Sequence, residues 1–346
     1  MINYIIGGYI TMQIYDNITG YFNAEEIINS RFYFIFVTGA RGTGKTFSTL
    51  KYLIEEKKTF IFMRRTQTEA DLQGGTGDAS EIWKVCQYLG IEPKFKRIHQ
   101  NVTLCDYGKG KIFILALSTF AKVRGMNFSA ADYILYDEFI TEPHVPALRA
   151  EGFALQNMYE SVNRNRELEN HKPVKLVCLS NSLNIANDIF ISWDLIGPAE
   201  ELSSAPDEQM IYTRNDTLLI IMKNSPISAM KAETLLYKNA SEEFSAMALQ
   251  NKFILNDFTY VEPKNLKDYR PIFKVGNLYF YRHKSITEFY VSFRRAEVPE
   301  NRQYKASSAD LQRFRRKETK YYAAYLDGLV RFESYKCIAL FEKYFK

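Results

Sequence analysis

Through the first two hundred residues, short apolar runs alternate with stretches of helical spacing, the pattern of a mostly parallel sheet covered on both faces. Five runs rich in Phe, Ile, Val and Tyr read as strands: Phe32–Thr38, Thr59–Met63, Lys111–Leu117, Tyr133–Tyr136 and Val174–Leu179. Gly74, Gly75 and Gly77, with Thr76 and Asp78, make a flexible loop that serves either as a mobile lid or as a connector. Between Asp188 and Pro226 the pattern weakens, and Pro198, Pro206 and Pro226 with Ser203 and Ser204 suggest an exit from the sheet. From about Ser225 to Asn251 the spacing reads as a helical linker. Beyond it, Tyr269–Val275, Leu278–His283 and Ile286–Phe293 alternate as an antiparallel meander whose first turn is Gly276-Asn277. From Ser308 the spacing is helical, with a basic face of Arg313, Arg315, Arg316, Lys317 and Lys320. The expected organisation is an α/β domain over 1–220, a helical linker over 221–250 and a small α+β domain over 251–346.

Composition narrows the class. The 346 residues, 46% hydrophobic and 25% charged, are ordinary globular chemistry and enough for two domains. Apolar runs such as Phe32–Val37 and Ile112–Leu117 are far shorter than the roughly 20 residues of a membrane-spanning helix. The N-terminal Ile-Ile-Gly-Gly-Tyr-Ile stretch lacks a basic leader and a small-residue cleavage site, so no signal peptide is expected. Cys86, Cys105, Cys178 and Cys337 are too dispersed for a metal site and read as reduced, buried thiols in a cytoplasm. Charge is uneven: residues 251–346 hold 20 Lys plus Arg against 11 Asp plus Glu, a net +9, while the remainder is net −4. That asymmetry points to a polyanionic partner, nucleic acid foremost, with a solvated basic face as the alternative.

The chemistry-bearing motifs follow the strands. Gly39-Ala40-Arg41-Gly42-Thr43-Gly44-Lys45-Thr46 fits G-x-x-x-x-G-K-[ST], with an apolar strand before it and a helix-compatible run, Phe47–Glu56, after it. Its glycines let backbone amides curl around the β- and γ-phosphates of ATP, Lys45 neutralises them and the Thr46 hydroxyl ligates Mg²⁺. Tyr133–Tyr136 leads into Asp137 and Glu138. Asp137 suits Mg²⁺ held through water, and Glu138 suits polarising the attacking water, a pairing of hydrolases rather than kinases. Val177–Leu179 leads into Ser180 and Asn181; Asn181 is either a γ-phosphate sensor or a strand-terminating turn residue. Arg164, in Arg164-Asn165-Arg166-Glu167, is a candidate for stabilising transition-state charge across a subunit boundary, and Arg124 is a second. Arg64 and Arg65 end the second strand as candidate contacts to nucleotide or DNA. Each of these arginines has a surface salt bridge as its rival reading.

Taken in order, the phosphate loop 39–46, Met63-Arg64-Arg65, Tyr136-Asp137-Glu138-Phe139-Ile140, Arg164-Asn165-Arg166-Glu167 and Cys178-Leu179-Ser180-Asn181 resemble the genome-packaging ATPases, or encapsidation proteins, of φ29-like podophages. The resemblance runs through residues 30–185 and more faintly to the C-terminus. It implies a P-loop ATPase domain of the ASCE, terminase type, then an RNase H-like domain without nuclease acids. It implies a pentameric ring motor that uses ATP and Mg²⁺ to drive double-stranded DNA into a procapsid through the portal, in the cytoplasm of an infected bacterium and not in the mature virion. A structural packaging RNA is a further candidate partner, because some relatives use one. By the same resemblance Arg164 is the arginine finger and Arg124 a second basic group at the subunit boundary. The meander agrees with the missing acids: Glu288 stands alone, with no trio to bind metals about 3.5–4 Å apart. One departure is Gln67, where a relative carries Lys. Two rival functions remain from the residues alone: a helicase or recombination ATPase, and a non-catalytic nucleotide-gated nucleic-acid-binding protein.

Overall fold

The computed structural model describes residues 12–141, 148, 150–181, 184–239 and 259–345, with the backbone of a two-residue strand pair, β1 (Ile5–Ile6) and β2 (Tyr9–Ile10). The chain forms two compact units, Met1–Asn184 with Glu201–Ile254, and Ile185–Glu200 with Leu255–Lys346.

In the first unit, helix α1 (Ala24–Ile28) precedes β3 (Phe34–Gly39), α2 (Lys45–Glu55), β4 (Phe60–Arg64), α3 (Gln67–Gln73) and α4 (Glu81–Tyr88). The hairpin β5 (Lys94–His99) and β6 (Val102–Asp106) follows, then β7 (Lys111–Ala116), β8 (Tyr133–Asp137), α5 (Glu151–Asn163) and β9 (Lys175–Asn181). All nine strands of this sheet, ending with β10 (Ile211–Arg214) and β11 (Thr217–Ile221), lie in the order β10-β11-β3-β9-β8-β4-β7-β6-β5. The consecutive strands β11, β3, β9, β8, β4 and β7 pair in parallel. Their apolar runs are buried on both faces, as continuous rather than alternating hydrophobic strands require. The five strand runs read from the sequence all lie in this parallel core.

One departure has a physical cause. The segment expected to leave the sheet returns to it: Thr217–Ile221 is buried throughout and extends the sheet beside β3 after a turn at Asn215, whose φ is +51°. Proline and serine on either side mask that short run. The glycine loop joins α3 to α4, with the Ser80 hydroxyl donating to Gln73 O (2.9 Å) and Glu81 N to Gln73 Oε1 (2.8 Å). Of the expected linker, α8 (Pro226–Ala232) and α9 (Leu235–Asn239) are helical, and residues 240–251 lie outside the described residues.

The second unit begins with α6 (Asp188–Ser192), followed by α7 (Ile196–Ser204), which runs across the boundary between units. Asp188 and Asp194 pair with Lys343 and Lys336 of the C-terminal helix, so Ile185–Glu200 clusters with the basic unit. Its sheet takes the order β15-β12-β13-β14-β16, where β12 (Tyr269–Val275), β13 (Leu278–His283) and β14 (Phe289–Ser292) are the meander. The edges β15 (Gln303–Tyr304) and β16 (Val330–Phe332) add in parallel. Helices α10 (Ser308–Leu326) and α11 (Tyr335–Phe345) supply an aromatic core. There Phe273 stacks on Phe280 at 4.1 Å and meets Phe314 and Tyr321 at 5.7 and 5.0 Å.

Phe273→Ala opens a cavity in that cluster and lowers the stability of the second unit by about 3–5 kcal/mol. Urea unfolding followed at Trp193, with Trp83 of the first unit changed to Phe, measures the loss. A midpoint shift worth less than about 1 kcal/mol would contradict the packing role.

Candidate nucleotide site

The C-terminal ends of the parallel strands converge on one edge, the usual ligand-binding edge of an open α/β sheet. Registers fix the partners there: Gly39 pairs with Asn181, Asp137 with Leu179, and Tyr136 with Met63, one residue before Arg64. β9 lies between the phosphate-loop strand β3 and the acidic strand β8.

Within the loop, Gly42 and Gly44 take φ of +70° and +83°, conformations that cost other residues strain. Gly44 caps α2 without any side-chain bond, and α2 has no acid in its first turn, so its first amides are left for an anion. By contrast, α3 carries a full capping box of Thr66 and Glu69. The Lys45 ammonium is buried and donates to the carbonyls of Gly39 and Ala40, both at 2.8 Å. It also reaches Thr43 Oγ1 at 3.3 Å and Asn181 Oδ1 at 3.5 Å. Burial pushes the Lys45 pKa down to about 7; Asp137 and Glu138 oppose the shift and Lys231 adds to it. A phosphate group fits this cradle because it would supply the negative charge that the buried ammonium lacks.

The Thr46 hydroxyl donates to Asp137 Oδ1 at 2.9 Å, bringing together two hard oxygen donors of the kind Mg²⁺ selects. Burial raises the Asp137 pKa, an effect opposed by Arg64, Thr46 and Lys45. Arg64 bridges both acids: its Nη1 donates to Asp137 Oδ2 at 2.7 Å and its Nη2 to the Glu138 carboxylate. Glu138 has φ of +56°, a strained setting for a non-glycine residue, and its carboxylate is 54% exposed.

The other expected residues separate. Arg65 turns inward, its Nε 3.0 Å from Glu151 Oε1, and the Tyr136 hydroxyl donates to the same carboxylate. That buried pairing leaves Arg65 no surface role. Gln67 accepts from Thr119 Oγ1 (2.7 Å) and Asn101 Nδ2 (3.0 Å) and donates from Nε2 to the Asp71 carboxylate (2.8 Å), a local network. Arg164 is exposed, ends α5 and donates at 3.3 Å to the carbonyls of Ser161 and Met126. Beside it, Arg166 pairs with Asp132 (3.2 Å) and donates to Ala131 O (2.9 Å), which precede β8. The loop carrying Arg164 therefore packs at the start of β8, whereas Asp137 and Glu138 stand at its end. Arg124 is exposed two residues from Met126.

Two neighbours of the loop carried no sequence signal. The strap Met12–Phe22 lies along it, with Phe22 N donating to Thr43 O at 2.9 Å. Between this strap and α8 opens a cavity of about 550 Å³ lined by Met12, Tyr15, Ile18, Met210, Pro226 and Met230. From α8 the Lys231 ammonium donates to Arg41 O at 2.6 Å. A lone lysine in a helix read as linker has no local pattern that marks it.

In the second unit, Arg313, Arg316, Lys317 and Lys320 are exposed at helical spacing on α10. Arg315 leaves that face to donate to Tyr344 O at 2.8 Å. Glu288 is bonded by Lys264 (2.8 Å) and by the Tyr269 hydroxyl; burial raises its pKa, but these bonds outweigh burial and hold it below the usual range.

Fold and site together define a P-loop nucleotide-binding protein whose sheet inserts a polar-tipped strand between phosphate loop and acidic strand. The chain belongs to the Podovirus DNA encapsidation protein (Gp16) family, whose sequence profile matches residues 16–346. It is a DNA-packaging protein of that family. It is 26% identical to the DNA packaging protein of Bacillus phage PZA, over 74% of this chain and 72% of that protein. The fold is that of a chain in the bacteriophage Phi-29 viral genome packaging motor assembly, at TM-score 0.63 and 20% identity, covering 94% of this chain and 99% of that one. A chain of the Phi-28 gp11 DNA packaging motor aligns at TM-score 0.61 and 18% identity, covering 94% and 97%.

Phosphates stabilise the charged form of Lys45, so ADP binding at pH 8 takes up a proton. Affinity should fall as pH rises from about 7, the lysine's starting value, towards about 10, where a free lysine titrates. Calorimetry in HEPES and Tris reads the proton count. Proton release, or affinity that is flat from pH 7 to 9, is the contrary result.

Proposed function

We propose that this protein hydrolyses ATP with Mg²⁺ and, as a homo-oligomeric ring at the portal of a procapsid, drives double-stranded DNA inward. The observation that carries this reading is the meeting of Lys45, Thr46, Asp137, Glu138 and Asn181 on one sheet edge, with Arg164 exposed away from it. An oligomeric motor is supported by the likeness to a chain of a viral genome packaging motor assembly; the pentameric state, the portal and a packaging RNA rest on the family resemblance alone. The site of action is the cytoplasm of the infected bacterium.

In this reading Lys45 and the amides of residues 42–46 bind the phosphates, and the cavity beside α8 accepts the apolar face of the base. Thr46 and Asp137 would hold Mg²⁺, which supplies charge neutralisation on the β- and γ-oxygens. Glu138 accepts a proton from the attacking water, so its ion pair with Arg64 must open first. Asn181, hydrogen-bonded to Lys45, registers the terminal phosphate. The exposed cations of α10 suit phosphate-backbone contacts that carry no base information. The second unit is proposed as an RNase H-like scaffold without nuclease chemistry, a reading supported by Glu288, whose carboxylate is committed to Lys264 and Tyr269.

Glu138→Gln should retain ATP and Mg²⁺ binding while slowing turnover by at least about 10²-fold, measured by steady-state phosphate release. Near-normal hydrolysis would remove the assignment.

Arg164 tests the ring. Strand geometry sets β8 roughly 3.3 Å per residue along its length, so a group at its start does not reach the acids of the same chain. Arg164→Ala and Lys45→Ala chains should each be inactive alone and partly active when mixed, because some interfaces then pair an intact site with an intact arginine. Mass-verified mixed rings that recover no activity would move the assignment to Arg124.

A further inference from the structure

Helix α8 lies in the chain between the last strand of the first sheet and the residues of the second unit, and its last turn holds Lys231. A lysine there would ordinarily serve its own helix by facing the final carbonyls. This one leaves its helix: the ammonium donates to Arg41 O, 190 positions away in sequence, at 2.6 Å. It sits where the loop has no side chain, since a Cβ at Gly42 would stand 2.0 Å from the amine. Among the described residues Lys231 forms no ion pair with a carboxylate, and only one of its three donors is engaged. Two ammonium groups, Lys45 and Lys231, are thus held against one short loop. The two ammonium groups sit on the adjacent carbonyls of Ala40 and Arg41, and an anion bound between them would offset their repulsion. The helix face beside Lys231 lines the cavity through Pro226, Ile227 and Met230, so α8 already borders the expected nucleotide.

We propose that Lys231 is a nucleotide-reading latch, binding the diphosphate of a nucleoside di- or triphosphate held in the phosphate loop and thereby tying α8 to that loop. The latch rests on the nucleotide-site reading given above. It is a binding contact rather than a step of hydrolysis, because it acts on the phosphates that ATP and ADP share. By linkage, whatever nucleotide gains from Lys231, α8 gains in attachment to the loop. Occupancy of the site is then registered in the segment that leads towards the second unit.

The test uses the full chain, with ADP and ATP as probes, in wild type, Lys231→Ala and Lys231→Gln. Glutamine keeps a donor for Arg41 O but no charge, so it separates a loop staple from a phosphate-binding cation. Calorimetry should show ADP and ATP affinity falling together by about tenfold in both variants, as loss of a charge-assisted contact implies. Hydrogen exchange over residues 223–239 should slow on adding ADP to wild type and stay unchanged in the variants. A Gln variant that binds ADP like wild type, or ADP protection of α8 that persists in either variant, overturns the latch. So does loss of ATP affinity alone, which would make Lys231 a γ-phosphate contact instead. A wild type that binds neither nucleotide overturns the nucleotide-site reading and the latch with it, whereas normal wild-type binding with unaffected variants overturns the latch alone.

Discussion

In-register pairing of β3, β9, β8 and β4 is the constraint on which the site depends. Each parallel pair is continuous to its C-terminal end, so Gly39, Asn181, Asp137 and Arg64 emerge on one edge within side-chain reach. A slip of one residue would turn every side chain of that strand to the opposite face. The apolar runs prevent it, because the strands are buried on both sides and any shift would disturb close packing. Packing of Phe, Ile and Val thus positions groups that are themselves polar.

Charge balance explains the internal wiring of that edge. A buried ammonium and a buried carboxylate are expensive without partners. Lys45 therefore turns onto loop carbonyls, while Asp137 takes bonds from Arg64 and Thr46. On the proposed reading the same bonds are what nucleotide and metal would displace: phosphate would compete for Lys45, a divalent cation for Thr46 and Asp137, and Arg64 would release Glu138 before it acted as a base. Arg64 thus holds both carboxylates at once in this structure.

Distance within one chain gives the arginines their meaning. Arg164 is exposed near the entrance to β8, and the acids it would assist stand past its exit; Arg124 is exposed two residues before Met126, whose carbonyl accepts from Arg164. The basic face of α10 follows a similar division: Glu318 is buried and bonded to Arg302 and Tyr304, while cations on the other face stay in water.

By itself the sequence determined what depends on neighbours in the chain. The phosphate loop, the acid pair after Tyr136, the strand into Asn181 and the meander around Gly276 are local patterns of apolar spacing and turn residues, and each stands where it was read. The return of β11 to the sheet was hidden, since Thr217–Ile221 is short and flanked by turn signals, and only pairing with β3 makes it a strand. Long-range partners were equally invisible: Arg65 on Glu151, Arg64 across two acids, Arg315 on Tyr344 and Lys231 on Arg41. The separation of Arg164 from its own acids was also beyond the sequence. A charged side chain looks alike in sequence whether it ends in solvent or in a pocket, and only the tertiary structure decides which groups share the low-dielectric space where their charges count.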